Sequence, residues 1–119
     1  MREMGFAVGK VNSEILYDIC ERMSYADPKA EYGGQTITIT PELRSHWMSV
    51  LGVSGRAIQK YLKNMVEGGH LIRLTRSTYM VNPYLYGKGT GVNVSLLRTR
   101  VEIQPEDERG APPVVRYIG

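Results

Sequence analysis

The chain has 119 residues, 42% of them hydrophobic, and a formal net charge of +3, which suits one domain with one core and is too short for two. No apolar run approaches the roughly 20 residues of a membrane span, and no apolar stretch follows the first basic residues, so neither a spanning helix nor a signal peptide is expected. The single cysteine, Cys20, excludes an internal disulfide and is typical of the cytoplasm, where we expect the protein to work.

The basic charge is concentrated in the middle of the chain. Residues 35–100 hold nine of the fifteen lysines and arginines but only two of the twelve acidic residues, whereas each flanking segment has more acids than bases. This distribution indicates a polyanionic partner for the middle segment. The alternative is a solvated face that simply lacks acids.

The first predicted elements are a helix and a short strand. The helix begins after a polar cap at Asn12 or Ser13 and ends before Pro28, because proline disfavours a helical residue ahead of it. A glycine-containing loop follows. The run 35–40 then alternates polar and β-branched apolar residues, which predicts a strand.

The second and third helices are predicted as a helix-turn-helix pair. Thr40 caps the second helix, Pro41 suits its first position, and Gly52 ends it where a left-handed residue is needed. Ser54 caps the third helix, residues 54–67. The predicted buried stripes are Leu43, Trp47, Val50 and Leu51 in the second helix and Ala57, Ile58, Leu62, Met65 and Val66 in the third.

Strands 70–74 and 78–81 are predicted to form a hairpin, because the three residues between them are too few for anything but a tip. Residues 92–103 fit two structures, a fourth helix capped by Asn93 or an extended strand, and the helix is favoured. Its apolar stripe would be Val94, Leu97 and Val101. From residue 104 onward, acids, prolines and a glycine predict a mobile tail, whose apolar residues 114–118 remain able to dock on a partner or a second copy.

The order helix, strand, helix, turn, helix, hairpin, helix predicts an α+β fold of the winged helix-turn-helix class. This fold has a three-helix core, a small strand paired with the wing hairpin, and here a carboxyl-terminal helix. The sequence therefore predicts a DNA-binding domain over residues 1–103 and an acidic, proline-rich mobile tail over residues 104–119.

Three runs of the sequence resemble a known family. Residues 51–54 (Leu-Gly-Val-Ser), residues 67–73 and above all residues 79–89, Tyr-Met-Val-Asn-Pro-Tyr-Leu-Tyr-Gly-Lys-Gly, are similar to the RepL-type plasmid replication proteins of Firmicutes. The similarity covers roughly residues 11–100; its helix-turn-helix part is generic, and the run at 79–89 is the more distinctive. Such proteins are thought to bind a plasmid or phage replication origin and help initiate replication. The resemblance implies that role here, with host replication proteins as further partners.

The outward face of the third helix is the predicted base-reading surface. Arg56, Gln59 and Lys60 lie one turn apart near its start, the end that usually meets base edges. Arginine and lysine can donate to guanine O6 and N7, and glutamine can pair with adenine. The alternative is an ordinary polar helix face. The predicted contacts on this helix are Ser54, Arg56, Gln59, Lys60, Lys63 and Asn64.

Contacts with the DNA backbone are predicted outside the third helix. Arg76 has no packing role at the hairpin tip, so it is expected to touch phosphate or the minor groove, and Arg73 is expected to contact phosphate from the outer face of the wing. Arg44 and Ser45 on the second helix are plausible further contacts, because the first helix of such a pair crosses the phosphates.

Nothing in the sequence supports catalysis or metal binding. Residues 87–91 invite a phosphate-loop interpretation but fail the P-loop spacing, which leaves Lys88 as a phosphate-touching residue in a flexible joint. His46 and His70 are isolated, and Cys20 lies on an apolar helix face. We therefore predict a protein that is not an enzyme and that uses no cofactor or metal.

The predicted function is sequence-specific binding of double-stranded DNA by a homodimer. Its site would be palindromic, with half-sites about one helical turn or a multiple of it apart. One alternative is a transcriptional regulator, such as an autorepressor of its own operon. Another is a winged-helix protein-interaction module without affinity for DNA.

Overall fold

A computed structural model describes residues 12–105, 108–110 and 113–119, and in this part the chain forms four α-helices and two small antiparallel sheets. The α+β prediction is therefore confirmed; residues 1–11 of the predicted domain lie outside the described residues. The helices are α1 (Ser13–Arg22), α2 (Pro41–Leu51), α3 (Gly55–Glu67) and α4 (Gly91–Arg98). The strands are β1 (Thr36–Thr38), β2 (Leu71–Arg73), β3 (Thr78–Val81), β4 (Val101–Gln104) and β5 (Val114–Tyr117). None of these helices is long and apolar enough to cross a membrane.

Side-chain caps start the first three helices where the sequence predicts them. The side-chain oxygens of Asn12, Thr40 and Ser54 accept the backbone N–H three residues later at 3.0, 3.1 and 3.2 Å. Each cap satisfies one of the amide groups that a helix leaves unpaired at its start. Gly52 has φ 66° and ends α2 in the left-handed conformation. The turn between α2 and α3 therefore forms as expected.

The first sheet has the strand order β1-β3-β2, with both pairings antiparallel. Ile37 of β1 pairs with Tyr79, and Ile72 of β2 pairs with Met80. The central strand is thus the second strand of the predicted hairpin. The short strand predicted ahead of α2 adds to it from the other side, as expected.

Apolar residues bury both faces of this sheet. One face belongs to the core formed with α1, α2 and α3, and the other packs against α4 and β4. A sheet covered on both sides has a nearly continuous apolar run in place of strict alternation, and residues 79–81 are such a run. The first face carries Ile37, Leu71, Tyr79 and Val81; the second carries Ile72 and Met80 against Val94, Leu97 and Val101.

Segment 92–103 contains both of the structures considered for it. Val94 and Leu97 are buried on α4, but Val101 is buried in β4, so its assignment to the helix was wrong. The cap is also one turn earlier than predicted, because Thr90 Oγ1 accepts the backbone N–H of Asn93 at 3.1 Å. A turn at residues 99 and 100 separates the two elements, and the chain then pairs with β5.

The predicted mobile tail at 104–119 is corrected for residues 114–117, which form strand β5. This strand pairs with β4 from Val101↔Tyr117 to Gln104↔Val114. The Arg116 guanidinium lies 2.6 Å from the Glu102 carboxylate across the pair. Valine and tyrosine are strong strand formers, and an opposite-charge pair supports the register. The prediction gave too much weight to the acids and prolines that precede these residues.

Strand β5 is held to the rest of the chain by an aromatic contact. The Tyr117 ring meets the Tyr32 ring edge to face, with 5.6 Å between the centroids. We expect Tyr117→Ala to lower the free energy of unfolding by about 1–2 kcal/mol, because it removes apolar burial and this ring pair. Urea denaturation measures the change. Val114→Ala in the same strand is the control, because Val114 is 50% exposed; equal, small effects for both variants would contradict the docking of β5.

The packing of α2 differs from its predicted stripe at one position. Trp47 is 3% exposed and lies in the core as predicted, with Leu43 and Leu51 half-buried beside it, but Val50 is 64% exposed and its assignment to the core was wrong. The contact runs along the residues spaced by four, and Val50 lies off that line. Trp47 Nε1 also donates to Asp18 Oδ2 at 2.7 Å, which joins α2 to α1.

Candidate nucleic-acid interface

Helix α3 and the β2–β3 hairpin enclose a groove that we call the α3–hairpin groove. A cleft of about 660 Å³ lies between α3 and the hairpin, and a smaller cleft of about 420 Å³ extends to the start of α2. The two clefts share Gln59, Leu62, Arg73 and Tyr79 and therefore form one continuous groove. Leu62 and Tyr79 are core residues, so the groove has a fixed floor.

The residues that line this groove carry six positive charges and one negative charge. The bases are Arg44, Arg56, Lys60, Lys63, Arg73 and Arg76, and the acid is Glu67. Lys63 Nζ lies 4.0 Å from Glu67 in an exposed pair, which contributes little. The side chains of Arg44, Arg56, Lys60 and Arg76 make no hydrogen bond or ion pair with another residue of the described part. The protein therefore leaves most of this charge uncompensated, which favours a polyanionic ligand.

Helix α3 turns its apolar side inward and its predicted contact side outward. Ile58, Leu62 and Met65 are at most 3% exposed. The side chains that face solvent include Arg56, Gln59, Lys60 and Lys63. Asn64 is half-buried, has an interaction within the protein and lines neither cleft, and its predicted contact stays a prediction. Four of the six predicted contacts on this helix thus share one exposed face with the groove.

Two predicted serine contacts lie outside the groove lining. Ser54 Oγ accepts the Ala57 amide as the cap of α3, so its first role is structural. Ser45 is exposed on α2 but lines neither cleft, whereas its neighbour Arg44 lines the smaller one. Of the two contacts predicted on α2, Arg44 therefore lines the groove and Ser45 does not.

The hairpin tip is held by Arg73. Its Nε donates to the Thr75 carbonyl oxygen at 3.2 Å and its Nη2 to the Arg76 carbonyl oxygen at 2.8 Å. Its guanidinium carbon also lies 5.8 Å from the centre of the Tyr79 ring. Two of its five N–H donors therefore hold the tip, and Nη1 remains for the phosphate contact that the sequence predicts. Arg76 remains exposed there, as predicted.

Lys88 lies away from the groove, and its predicted phosphate contact is corrected. Its Nζ donates to the carbonyl oxygens of Cys20, Glu21 and Met23 at 3.2, 2.7 and 2.8 Å. A lysine in this position satisfies the carbonyls left unpaired at the end of α1 and complements the helix dipole. The adjoining Gly89 lies close to another segment, because a Cβ there would be 3.3 Å from the Ala26 carbonyl oxygen, and the Lys88 carbonyl oxygen accepts the Ala26 amide at 2.8 Å.

Substitution of Lys88 tests whether this residue stabilises the fold or makes the DNA contact that the sequence predicts. We expect Lys88→Met to lower the free energy of unfolding by about 1.5–3 kcal/mol, the usual range for a hydrogen bond to a charged group, and to change the affinity for duplex DNA by no more than about twofold. Thermal or urea unfolding and a DNA titration measure the two effects. Lys29→Met is the control for the removed charge, since the Lys29 side chain makes no hydrogen bond or ion pair within the described residues. A weakened DNA complex with unchanged stability would restore the original assignment.

Cys20 and His70, whose side chains could be reactive, lie in environments that favour a structural role. Burial raises the pKa of the half-buried Cys20 thiol, which disfavours the thiolate at neutral pH. His70 is buried, and its Nδ1 lies 2.9 Å from the Tyr86 hydroxyl. Within the described ranges, no three histidine, cysteine, aspartate or glutamate side chains group together as a metal site would require.

Sequence reasoning missed two groove residues, Tyr79 and Ser77. Tyr79 is not among the predicted contacts, yet this residue pairs with Arg73 across the hairpin and lines both clefts. The signal was the hairpin register itself, because a three-residue tip sets 79 opposite 73.

No protein-family model matches the chain. Neither the curated proteins nor the solved structures contain a match to it.

Proposed function

We propose that the protein binds double-stranded DNA as a winged helix-turn-helix, with α3 as the recognition helix and the β2–β3 hairpin as the wing. The order α1, β1, α2, α3, β2, β3 supports this proposal. So do the glycine turn between α2 and α3 and the pairing of β1 with the hairpin. This arrangement is the one in which a recognition helix enters the major groove and a wing lies along its flank.

The observation that carries the proposal is the charge of the α3–hairpin groove. Six bases and one acid line it, beside the exposed polar face of α3. By contrast, the exposed face of α4 presents Val92 and Leu96, at 71% and 45% exposure. The positive surface therefore coincides with the element whose shape fits a DNA major groove, which is wide enough for an α-helix.

In the proposed complex, the first two turns of α3 read the bases. Arg56 and Lys60 would donate to guanine O6 and N7, and Gln59 would pair with adenine. Arg76 would contact the backbone or the minor groove from the wing. Lys63, one turn further along α3, would reach a phosphate. Base contacts then supply specificity, and the phosphate contacts set register and orientation.

The place of action proposed first is a plasmid or phage replication origin, on the resemblance of residues 79–89. In the structure these residues have packing and hydrogen-bonding roles: Met80 and Val81 are fully buried, and Asn82 Nδ2 donates to the Gly69 carbonyl oxygen at 2.8 Å. These residues therefore serve the fold of this chain, and the replication role is proposed from the resemblance alone. Selection of bound sites from a random library, followed by their location at an origin or over a promoter, separates replication from autoregulation.

A protein-interaction role has one observation in its favour. Val92 and Leu96 are exposed one turn apart on α4, and Tyr84 is 41% exposed. Such a surface suits a second copy or a host protein, and it leaves the α3–hairpin groove open. We therefore propose it as an accompaniment to DNA binding, through which a homodimer would form on a palindromic site.

Fluorescence anisotropy with a duplex of random sequence, titrated at several salt concentrations, tests the proposal. With about four phosphates contacted by the groove bases, log K is expected to fall against log salt with a slope of roughly −3 to −4. Absence of binding at low salt would overturn the proposal and place the protein-interaction role first.

A further inference from the structure

We propose that Arg44, Arg73 and Arg76 converge on the smaller cleft as a clamp for a single phosphate of the DNA backbone. The inference rests on the proposed function and deepens it, because it gives three bases from two separate elements one shared ligand. The ligand chemistry is a phosphodiester anion. The cleft lies where the start of α2 meets the wing, at one end of the α3–hairpin groove.

The lining of the cleft favours an anion. Its three arginines are accompanied by no carboxylate among the lining residues, and the polar groups beside them are the Gln59 amide and the Ser77 and Tyr79 hydroxyls, which can all donate. Three like charges around one space repel one another when the space holds only water. A bound phosphate relieves this repulsion and accepts charge-assisted hydrogen bonds, which are the strong class.

Arg44 carries an independent sign of a missing partner. Its Nε is buried and makes no hydrogen bond in the described structure. Buried donors in proteins are almost always paired, so an unpaired one calls for a ligand, an ion or water. Arg44 also lies in the first turn of α2, after the Thr40 cap, where the helix dipole favours negative charge.

Arg73 acts in the clamp mainly as a positioning residue. Two of its nitrogens hold the carbonyl oxygens of Thr75 and Arg76, which leaves Nη1 for the ligand. Thr75 Oγ1 reinforces the tip by accepting the Thr78 amide at 3.1 Å. Arg76 is therefore presented from an ordered tip. Pre-organisation of this kind reduces the entropy cost of binding.

The clamp predicts a specific change in salt dependence. Each phosphate contacted on B-DNA contributes about −0.9 to the slope of log K against log salt. Because the three arginines share one phosphate, the triple variant Arg44→Ala/Arg73→Ala/Arg76→Ala is expected to flatten the slope by about 0.9 and to weaken binding about eightfold at 0.1 M salt. Three separate phosphates would flatten it by about 2.7, and that result would overturn the clamp. An unchanged slope would overturn it as well.

Two further variants guard against an effect of folding. The double variant Arg44→Ala/Arg76→Ala keeps the arginine that orders the tip and is expected to give most of the same change. Arg22→Ala removes a charge that is paired with Asp18 on α1, 2.7 Å away, and is expected to leave the slope unchanged. Circular dichroism and thermal unfolding establish that each variant is folded. If the double variant has the wild-type slope, the clamp is rejected.

A second arm identifies the source of the phosphate. Inorganic phosphate at tens of millimolar, without DNA, is expected to raise the unfolding temperature of the wild type more than that of the triple variant. If it does so while the triple variant binds duplex as tightly as the wild type, the cleft serves a small phosphate compound and the backbone clamp is overturned. If the wild type binds no duplex, the proposed function fails and the clamp on DNA fails with it. Duplex binding with a slope that the triple variant does not flatten leaves the proposed function standing and rejects the clamp alone.

Discussion

Simultaneous replacement of Arg56, Gln59 and Lys60 by alanine is expected to weaken binding to the selected duplex site by about 100-fold or more. Each good base contact discriminates by roughly 1–3 kcal/mol, so the removal of three together costs at least about 3 kcal/mol of binding free energy. Affinity for a duplex of unrelated sequence should fall much less, because phosphate contacts dominate non-specific binding. Anisotropy titrations with both duplexes measure the two effects.

The control for this variant lies on another helix. Ser95 is exposed on α4, and its replacement by alanine is expected to leave both DNA affinities unchanged. For the variant with Arg56, Gln59 and Lys60 replaced, the free energy of unfolding should change by no more than about 0.5 kcal/mol for each substitution, as is usual for exposed positions. An equal fall in affinity for the selected and unrelated duplexes would show that α3 does not read bases. No fall for either duplex would remove α3 from the interface.

Replacement of Gln35 by leucine is expected to lower the free energy of unfolding by about 3–5 kcal/mol. Gln35 is fully buried, and its Nε2 donates to the carbonyl oxygens of Val81 and Tyr86 at 3.2 and 3.1 Å. Its Oε1 accepts the Lys88 amide at 2.8 Å. Leucine fills similar space but leaves three backbone groups unpaired, each at a cost of about 1–3 kcal/mol.

The backbone at Gln35 strengthens this expectation. The residue has φ 55°, a left-handed conformation that disfavours most side chains. Such a conformation persists only where the surroundings impose it, and the three hydrogen bonds of the amide do so here. A decrease of this size is a large part of the free energy of unfolding of an ordinary domain, which is roughly 5–15 kcal/mol.

Gln59→Leu is the matched control, since it makes the same chemical change on the exposed face of α3. Its free energy of unfolding should stay within about 0.5 kcal/mol of the wild type, while its DNA affinity falls. Gln35→Leu should show the opposite pattern under conditions where it is folded. Urea denaturation measures both variants, and equal decreases in stability would contradict the role given to the buried amide.

Local signals in the sequence predicted the elements that depend on near neighbours. The hydrogen bonds of the Thr40 and Ser54 caps and of Gly52 join residues three or four positions apart. The local sequence was therefore sufficient to predict them. The hairpin followed from a tip of three residues. The pairing of 114–117 with 101–104 depended on residues about a dozen positions apart, and the intervening acids and prolines concealed it.

Most basic residues of the candidate site could be predicted from the sequence, but their arrangement in space could not. Arg56, Lys60 and Lys63 could be placed because a helix with one apolar stripe has only one outward face. Lys88 could not, because its three carbonyl partners are 65–68 residues away in the sequence. The sequence alone does not distinguish a lysine that binds the carbonyl oxygens at a helix end from a lysine that binds phosphate. The convergence of Arg44 with Arg76 likewise depends on how α2 packs beside the hairpin.

Amide chemical-shift mapping by NMR during titration with a short mixed-sequence duplex tests the central claim most directly. We expect shifts concentrated in residues 54–63 and 73–78, with smaller shifts at the start of α2 and none across α4 and β5. Shifts concentrated on α4, or the absence of any shift at low salt, would contradict DNA binding through the α3–hairpin groove.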